Sequence, residues 1–195
     1  MKVVQVKCPS CNQAIYSKVK DQLFFCENCK TLHVRNGGVE KLDFEIADFN
    51  QNIQGEKVYV PFWRLYCSFI VRSKQVEGGQ MFKLFSWLSG SGDSGNLFVY
   101  VPANDVDPGS FKRLSSQFTS GQPRYKTRLD FGGVKRAPAA VSKAEAAELA
   151  DFVVVTMEVE QPGKLQYLDY TLTVNDSKIV YLPFVIGPSG MASAL

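Results

Sequence analysis

Residues 8–30 read CPSCNQAIYSKVKDQLFFCENCK, and this stretch holds four of the five cysteines of a 195-residue chain. The cysteines are paired as Cys8-x2-Cys11 and Cys26-x2-Cys29, with 14 residues between the pairs. A two-residue spacer lets each pair wrap around one ion, and Zn²⁺ takes four thiolates in a tetrahedron at about 2.3 Å from each sulfur. The spacing therefore predicts one structural zinc ion bound by the four cysteines.

Short apolar runs flank both cysteine pairs, as the strands of a metal-bound hairpin do. Asn12, after the first pair, tolerates the left-handed backbone that such a turn often needs, whereas Lys30 stands where Gly is commoner. The arrangement resembles a zinc ribbon over about residues 5–36. A segment of about 40 residues cannot fold on core burial alone, so we expect metal binding to supply its folding energy. The predicted strands are 13–16, 23–25 and 32–34.

Other uses of the cysteines are open at this point. A rubredoxin-like iron site has the same four-thiolate chemistry, whereas two redox dithiols would need one CxxC pair between a strand and a helix. His33 could compete as a fourth ligand, but four cysteines are available, so we expect a strand residue at the ribbon's edge. Cys67 lies in an apolar strand pattern and is expected to be a small buried hydrophobe.

The composition is that of a globular protein. Hydrophobic residues at 45%, charged residues at 21% and aromatic residues at 12% exclude a disordered, collagen-like or coiled-coil chain. We predict an α+β fold: a zinc ribbon at 1–38, a linker or short strand at 39–57, and a mixed or antiparallel sheet domain with two helices at 58–195. With this boundary, replacing Cys26 or Cys29 by Ser should unfold the ribbon and leave residues 58–195 folded.

One long strand is predicted at the start of the second domain. Residues 58–72 read VYVPFWRLYCSFIVR, and the odd-numbered side chains from Trp63 to Val71 form an apolar face. The even-numbered side chains from Phe62 to Arg72 form a mixed face. This alternation favours an antiparallel or mixed sheet with one face packed on a core.

Capping residues and turn residues indicate where the remaining helices and strands begin and end. Asp107-Pro108 begins one predicted helix, with Asp as N-cap and Pro at the first helical position. Ser142-x-x-Glu145 is a capping box that begins a second helix, predicted to reach about Met157. Residues 165–174 and 179–186 predict two strands joined by a hairpin turn at 175–177.

A weak internal repeat, Val-Tyr-Val/Leu-Pro, occurs at 58–61, 99–102 and 180–183. Because proline cannot donate to a β-ladder, each occurrence marks a strand end, an edge or a bulge. Aromatic residues collect around these prolines, and we predict that they form a docking surface or a pocket. The predicted docking residues are Tyr59, Phe62, Trp63, Tyr100, Tyr181 and Phe184.

The order of these features resembles a family of uncharacterised bacterial zinc-ribbon proteins. The ribbon is followed by YVPFWR at 59–64, YVPA at 100–103, an Ala/Glu/Leu-rich helix and a closing YLPF strand at 181–184. The resemblance covers most of the chain, and its CxxC pairs are specific to the ribbon class. It implies no activity.

A basic stretch with interleaved aromatic residues spans 112–136. Such stretches bind single strands by charge and stacking. The segment 143–160 carries five acidic residues and one basic, so the two segments could instead face each other across the fold. With four thiolates and Zn²⁺, residues 1–57 have a net charge of about −1, which argues against the ribbon as a DNA reader. The candidate nucleic-acid or anion contacts are Lys112, Arg113, Arg124, Lys126, Arg128, Lys135 and Arg136.

Two motifs lie between the first and second copies of the repeat. Residues 81–88, MFKLFSWL, are strongly apolar and predict a core segment or, if exposed, a partner or membrane contact. Gly90, Gly92 and Gly95 match a GxGxxG pattern. A dinucleotide-binding glycine motif should open a helix, and here a predicted strand follows, so we do not expect a nucleotide site.

The sequence contains no recognisable catalytic constellation, because it lacks a Ser/Cys–His pair, an HExxH motif and a phosphate-binding P-loop. It has no apolar run of about 18 residues and no signal-peptide core at its start, so we expect a cytoplasmic protein. We predict a zinc-binding, non-catalytic adaptor or scaffold that binds a protein partner. The alternatives are a nucleic-acid-associated factor using residues 112–136 and an enzyme of unknown type using Arg64 and Tyr66.

Overall fold

A computed structural model describes residues 6–15, 21–35, 39–50, 54–77, 93–160, 164–188 and 190–195. The predicted apolar segment 81–88, with Gly90 and Gly92, lies outside these residues. The described part is an α+β structure, as predicted. Its helices are α1 (Pro108–Gly121) and α2 (Lys143–Val159). Its strands are β1 (Val6–Lys7), β2 (Ala14–Ile15), β3 (Leu23–Cys26), β4 (Thr31–Arg35), β5 (Val39–Leu42), β6 (Phe44–Ala47), β7 (Glu56–Glu77), β8 (Ser94–Pro102), β9 (Thr127–Arg128), β10 (Lys135–Arg136), β11 (Lys164–Gly187) and β12 (Gly190–Ser193).

The ribbon contains two small antiparallel sheets, and a larger sheet follows it. β1 pairs with β2, and β3, β4 and β5 form a three-stranded sheet with β4 in the middle. The larger sheet has the order β10-β7-β11-β6-β9, while β8 pairs with β7 and β12 pairs with β11. Residues 39–47 therefore belong to both parts, because β5 completes the ribbon sheet and β6 pairs with β11. The domain boundaries stay a prediction.

The hairpin turn predicted at residues 175–177 is wrong. β11 runs without a break from Lys164 to Gly187 and pairs antiparallel with β7 on both sides of those residues. The register shifts between Val174 and Asp176, so the extra residue is absorbed as a β-bulge. The turn-forming residues at this position produce a local irregularity in β11. The irregularity is a bulge rather than a turn because β11 stays paired with β7 on both sides of it.

The two faces of the large sheet carry separate cores. The predicted apolar face of β7, from Trp63 to Val71, is buried together with side chains of α2 and of the ribbon. On the opposite face, Phe62 packs with Leu114 and Phe118 of α1. The same helix covers the outer edge of β8, where the Thr119 hydroxyl accepts from the Tyr100 N–H at 2.9 Å.

The prediction that the aromatic residues around the prolines form a docking surface is wrong, because all six side chains are buried. Successive side chains of a strand point to opposite faces, so the set divides between the two cores rather than collecting in one patch. Tyr59, Trp63 and Tyr181 lie in the core shared with α2 and the ribbon. Phe62, Tyr100 and Phe184 lie in the core under α1.

Two prolines of the repeat lie inside long strands, where one neighbouring strand replaces another. Beside Pro61, the β7 neighbour changes from β10, which pairs with Val58 and Tyr59, to β8, whose last residue, Pro102, lies opposite Phe62. Beside Pro183, the β11 neighbour changes from β6 to β12. The carbonyls of both prolines accept backbone hydrogen bonds, from Ala103 at 2.8 Å and Ala194 at 2.9 Å. The missing N–H of each proline thus falls where the ladder is interrupted.

Both predicted helix starts are confirmed. The Asp107 side chain accepts from the Ser110 N–H, and Pro108 is the first residue of α1. Ser142 and Glu145 form a reciprocal capping box at the start of α2. α2 extends to Val159, because the β-branched residues near its end pack their buried side chains into the core as helix residues.

Candidate metal centre

The two cysteine pairs sit on matching turns. The Asn12 N–H donates to the Cys8 carbonyl at 2.8 Å, and the Lys30 N–H donates to the Cys26 carbonyl at the same distance. Asn12 has φ 60° and Lys30 has φ 54°, so both residues after the pairs are left-handed. The left-handed backbone predicted at Asn12 is confirmed, and Lys30 adopts it despite its side chain.

The four sulfur atoms form a cluster of the size that a four-thiolate site needs. All four Sγ atoms lie within 4.8 Å of one another, with Cys8 and Cys29 3.6 Å apart and Cys11 and Cys26 3.5 Å apart. A tetrahedron with zinc–sulfur bonds of 2.3 Å has sulfur–sulfur edges of about 3.8 Å. The donor set and its spacing therefore fit one metal ion of the size and ligand preference of zinc. Cys67 is buried elsewhere, and burial raises its pKa to about 12.

The surroundings of the sulfur atoms differ within the cluster. Burial raises the pKa of Cys8, but hydrogen bonds led by the backbone of Cys11 and Ser10 outweigh it and bring the pKa to about 5. Burial raises the pKa of Cys26 to about 11. A bound cation opposes this effect, because a metal-coordinating thiol is deprotonated.

Two side chains of β4, Thr31 and His33, contact the sulfur atoms of the cluster. His33 is fully buried on the middle strand β4, so the prediction of an edge residue is wrong. Its Nε2 lies 3.4 Å from the Cys8 Sγ and 2.8 Å from the Thr31 Oγ1. The Thr31 Oγ1 in turn lies 2.9 Å from the Cys29 Sγ. Thr31 was not among the site residues predicted from the sequence, although its two-residue spacing from His33 on a strand places both on one face.

The ribbon is attached to the large sheet by apolar packing and by a buried ion pair. Leu23, Phe25 and Leu32 belong to the same core as the α2 face of β7. The Arg136 Nη2 lies 3.2 Å from the Asp21 Oδ2, and the opposite carboxylate oxygen accepts from the N–H groups of Leu23 and Ala139.

The seven predicted nucleic-acid contacts do not form one free basic surface. Four of them pair with carboxylates of other segments or of their own loop. Lys112 pairs with Glu160, Lys135 with Glu56, Arg136 with Asp21, and Arg128 with Asp48 and Asp130. The remaining three are Arg113, Arg124 and Lys126, of which the last two line a cavity of about 510 Å³ together with Asp48.

Arg64 and Tyr66, named for the enzyme alternative, line a cavity of about 220 Å³ with Phe98, Asp176 and Lys178. The Arg64 guanidinium forms two hydrogen bonds of 3.0 Å with Glu45, which also accepts from Lys178 at 3.0 Å and from Tyr125 at 2.9 Å. Burial raises the pKa of Tyr125. The Arg64 charge is thus engaged by Glu45, and catalysis at this cavity stays an alternative to the predicted non-catalytic role.

Comparisons of the chain with protein-family models, with curated proteins and with solved structures found no match. No helix in the described ranges is both long and apolar enough to cross a membrane.

Proposed function

We propose that this chain is a zinc-binding, non-catalytic adaptor or scaffold protein whose single zinc ion is structural. The observation that carries the proposal is the cluster of four cysteine sulfur atoms within 4.8 Å of one another. Four protein ligands complete a tetrahedral zinc shell and leave no position for water or substrate. A closed site of this kind stabilises a fold, and here it stabilises a ribbon packed into the core of the large sheet.

An adaptor also needs an exposed contact surface, and the large sheet offers one. We use the name open sheet face for Tyr66, Ile70 and Phe98, which lie on the side of β7 and β8 opposite the α2 core. Tyr66 and Phe98 are cross-strand partners with ring centroids 5.1 Å apart, and the Ile70 side chain is 57% exposed. Apolar side chains held on rigid strands are suited to protein contact.

Metal analysis of the purified protein tests the zinc site. We expect one zinc per chain, retained through gel filtration, and loss of that zinc in Cys11→Ser. Cys67→Ser is the matched control, because Cys67 lies outside the cluster. Iron in the place of zinc would select the rubredoxin-like alternative, and no bound metal would contradict the proposal.

Affinity capture from the native cells, with and without nuclease, tests the adaptor role. We expect a stoichiometric protein partner that survives nuclease and is lost with Ile70→Lys. Leu129→Lys is the control, because Leu129 is 85% exposed and lies in a loop away from the open sheet face. Partners released by nuclease would favour the nucleic-acid alternative and residues 112–136.

A further inference from the structure

Two side chains of β4 reach the sulfur atoms of the proposed zinc site. Thr31 and His33 alternate with Leu32, whose side chain points into the main core on the other face of the strand. The Thr31 hydroxyl contacts the Cys29 sulfur at 2.9 Å, and the His33 Nε2 contacts the Cys8 sulfur at 3.4 Å. The two side chains also contact each other at 2.8 Å. One sulfur from each CxxC pair is therefore linked to the same two-residue unit.

The chemistry of a metal-bound thiolate sets the direction of these hydrogen bonds. A thiolate has no proton, so it only accepts, and the Thr31 O–H donates to Cys29. The Thr31 oxygen is then free to accept, and the His33 Nε2–H donates to it and towards Cys8. The His33 Nδ1 is buried without a hydrogen-bond partner among the described residues, which disfavours a proton on that nitrogen.

We propose that Thr31 and His33 are positioning residues of the zinc site, joined as a hydrogen-bond relay that runs from the His33 Nε2–H to Cys8 and, through the Thr31 hydroxyl, to Cys29. This inference rests on the proposed zinc-binding function. His33 is not itself a ligand, because its nitrogen is not among the atoms that lie within 4.8 Å of one another.

The relay has two physical effects on the bound state. Four thiolates around one divalent cation carry a net charge of −2, and donors aimed at two of the sulfur atoms stabilise this charge in a partly buried site. The relay also fixes the orientation of the Cys8 and Cys29 side chains. Loss of such outer contacts typically costs about 10- to 100-fold in metal affinity. We therefore expect the relay to keep the metal in place.

Nuclear magnetic resonance of the zinc-loaded, ¹⁵N-labelled protein tests the relay directly. His33 is the only histidine of the chain, so its ring signals need no assignment. We expect the ring proton on Nε2, slow exchange of that proton with water, and a scalar coupling to ¹¹³Cd when cadmium replaces zinc. A ring proton on Nδ1, or rapid exchange with no coupling, would overturn the proposal.

Zinc release to an excess of a chromogenic chelator gives an independent test. Thr31→Val and His33→Phe should each release zinc about 10- to 100-fold faster than the unmodified protein, while Thr31→Ser, which keeps the hydroxyl, should not. Thr173→Val, an exposed change on β11, controls for loss of any threonine. Unchanged release from folded Thr31→Val overturns the relay even if His33→Phe fails to fold. Absence of zinc from the unmodified protein would instead overturn the proposed function.

Discussion

The ion pair of Asp21 and Arg136 shows that the contribution of a basic residue to stability depends on where the residue lies in the fold. The Arg136 side chain is 19% exposed and the Asp21 side chain 5%, and the Arg136 Nη1 also donates to the Tyr181 hydroxyl at 3.1 Å. Its neighbour Lys135 pairs with Glu56, but the Lys135 side chain is 77% exposed. Of these two adjacent residues of β10, Arg136 thus holds the ribbon against the large sheet, whereas Lys135 forms only a weak ion pair at the surface.

We expect Arg136→Ala to lower the free energy of unfolding by about 3 kcal/mol, because it removes the guanidinium that pairs with the buried Asp21 carboxylate. Lys135→Ala is the matched control and should cost less than about 1 kcal/mol, as exposed pairs do. Urea denaturation of the three proteins measures both values. Equal effects of the two substitutions would contradict the role assigned to Asp21 and Arg136.

Glu45 makes the stability dependent on acid pH. Burial raises the pKa of its carboxyl, but hydrogen bonds from Lys178, Tyr125 and Arg64 outweigh burial and hold the pKa below its usual 4.5. A carboxyl with a lowered pKa in the folded state stabilises the fold above its unfolded pKa, and this contribution is lost as pH falls through the folded pKa.

Glu45→Gln should therefore be less stable than the unmodified protein at pH 7, and the difference should shrink as the pH falls below about 4.5. Glu148→Gln, at an exposed position of α2, serves as the control and should show no such convergence. Urea midpoints measured between pH 3 and pH 7 test this. A constant difference across that range would show that Glu45 does not contribute through its charge.

At the scale of elements, the sequence predicts local structure best where a few neighbouring residues form hydrogen bonds with each other. The capping box of α2 is such a case, since the Ser142 N–H donates to the Glu145 carboxylate at 2.7 Å and the Glu145 N–H donates to the Ser142 hydroxyl at 3.3 Å. β11 is the opposite case. Its bulge beyond Val174 resembles a turn in the sequence, and only its pairing with β7 shows a single strand.

We expect Ser142→Ala to lower the free energy of unfolding by about 1 kcal/mol, because the first turn of α2 loses its side-chain acceptor. Glu145→Gln is a suitable control, since Gln can take the same place in a capping box. Thermal unfolding followed by circular dichroism would detect the difference. If Glu145→Gln were as damaging as Ser142→Ala, charge at the helix start would be the cause instead.

At the scale of the whole molecule, the ribbon and the large sheet share one core. Phe25 of β3 packs edge to face against Phe131 with ring centroids 4.8 Å apart, and Phe131 has the same centroid distance to Tyr181 of β11. The domain boundary predicted from the sequence leads to separate unfolding of the two parts. Because aromatic contacts cross that boundary, we expect the ribbon and the large sheet to unfold together.

Zinc removal by a chelator decides between these expectations. If the shared core couples the parts, both the removal of zinc and Cys26→Ser will lower the midpoint of a single thermal transition, and added zinc will restore it only in the unmodified protein. Circular dichroism and tryptophan fluorescence should then give the same midpoint. An early transition that leaves the sheet signal intact would support the predicted boundary at 39–57.

The four-cysteine cluster, the left-handed Asn12, both helix starts and the alternation along β7 were predictable from the sequence. Each of these features depends on residues that are close along the chain, so spacing and side-chain chemistry determine it. Only the tertiary structure decided that Tyr59 and its aromatic neighbours are buried, that β11 is one strand, that Arg136 joins the ribbon, and that His33 faces Cys8. These depend on contacts between residues far apart along the chain, and such contacts form only when the strands pair and the two cores close.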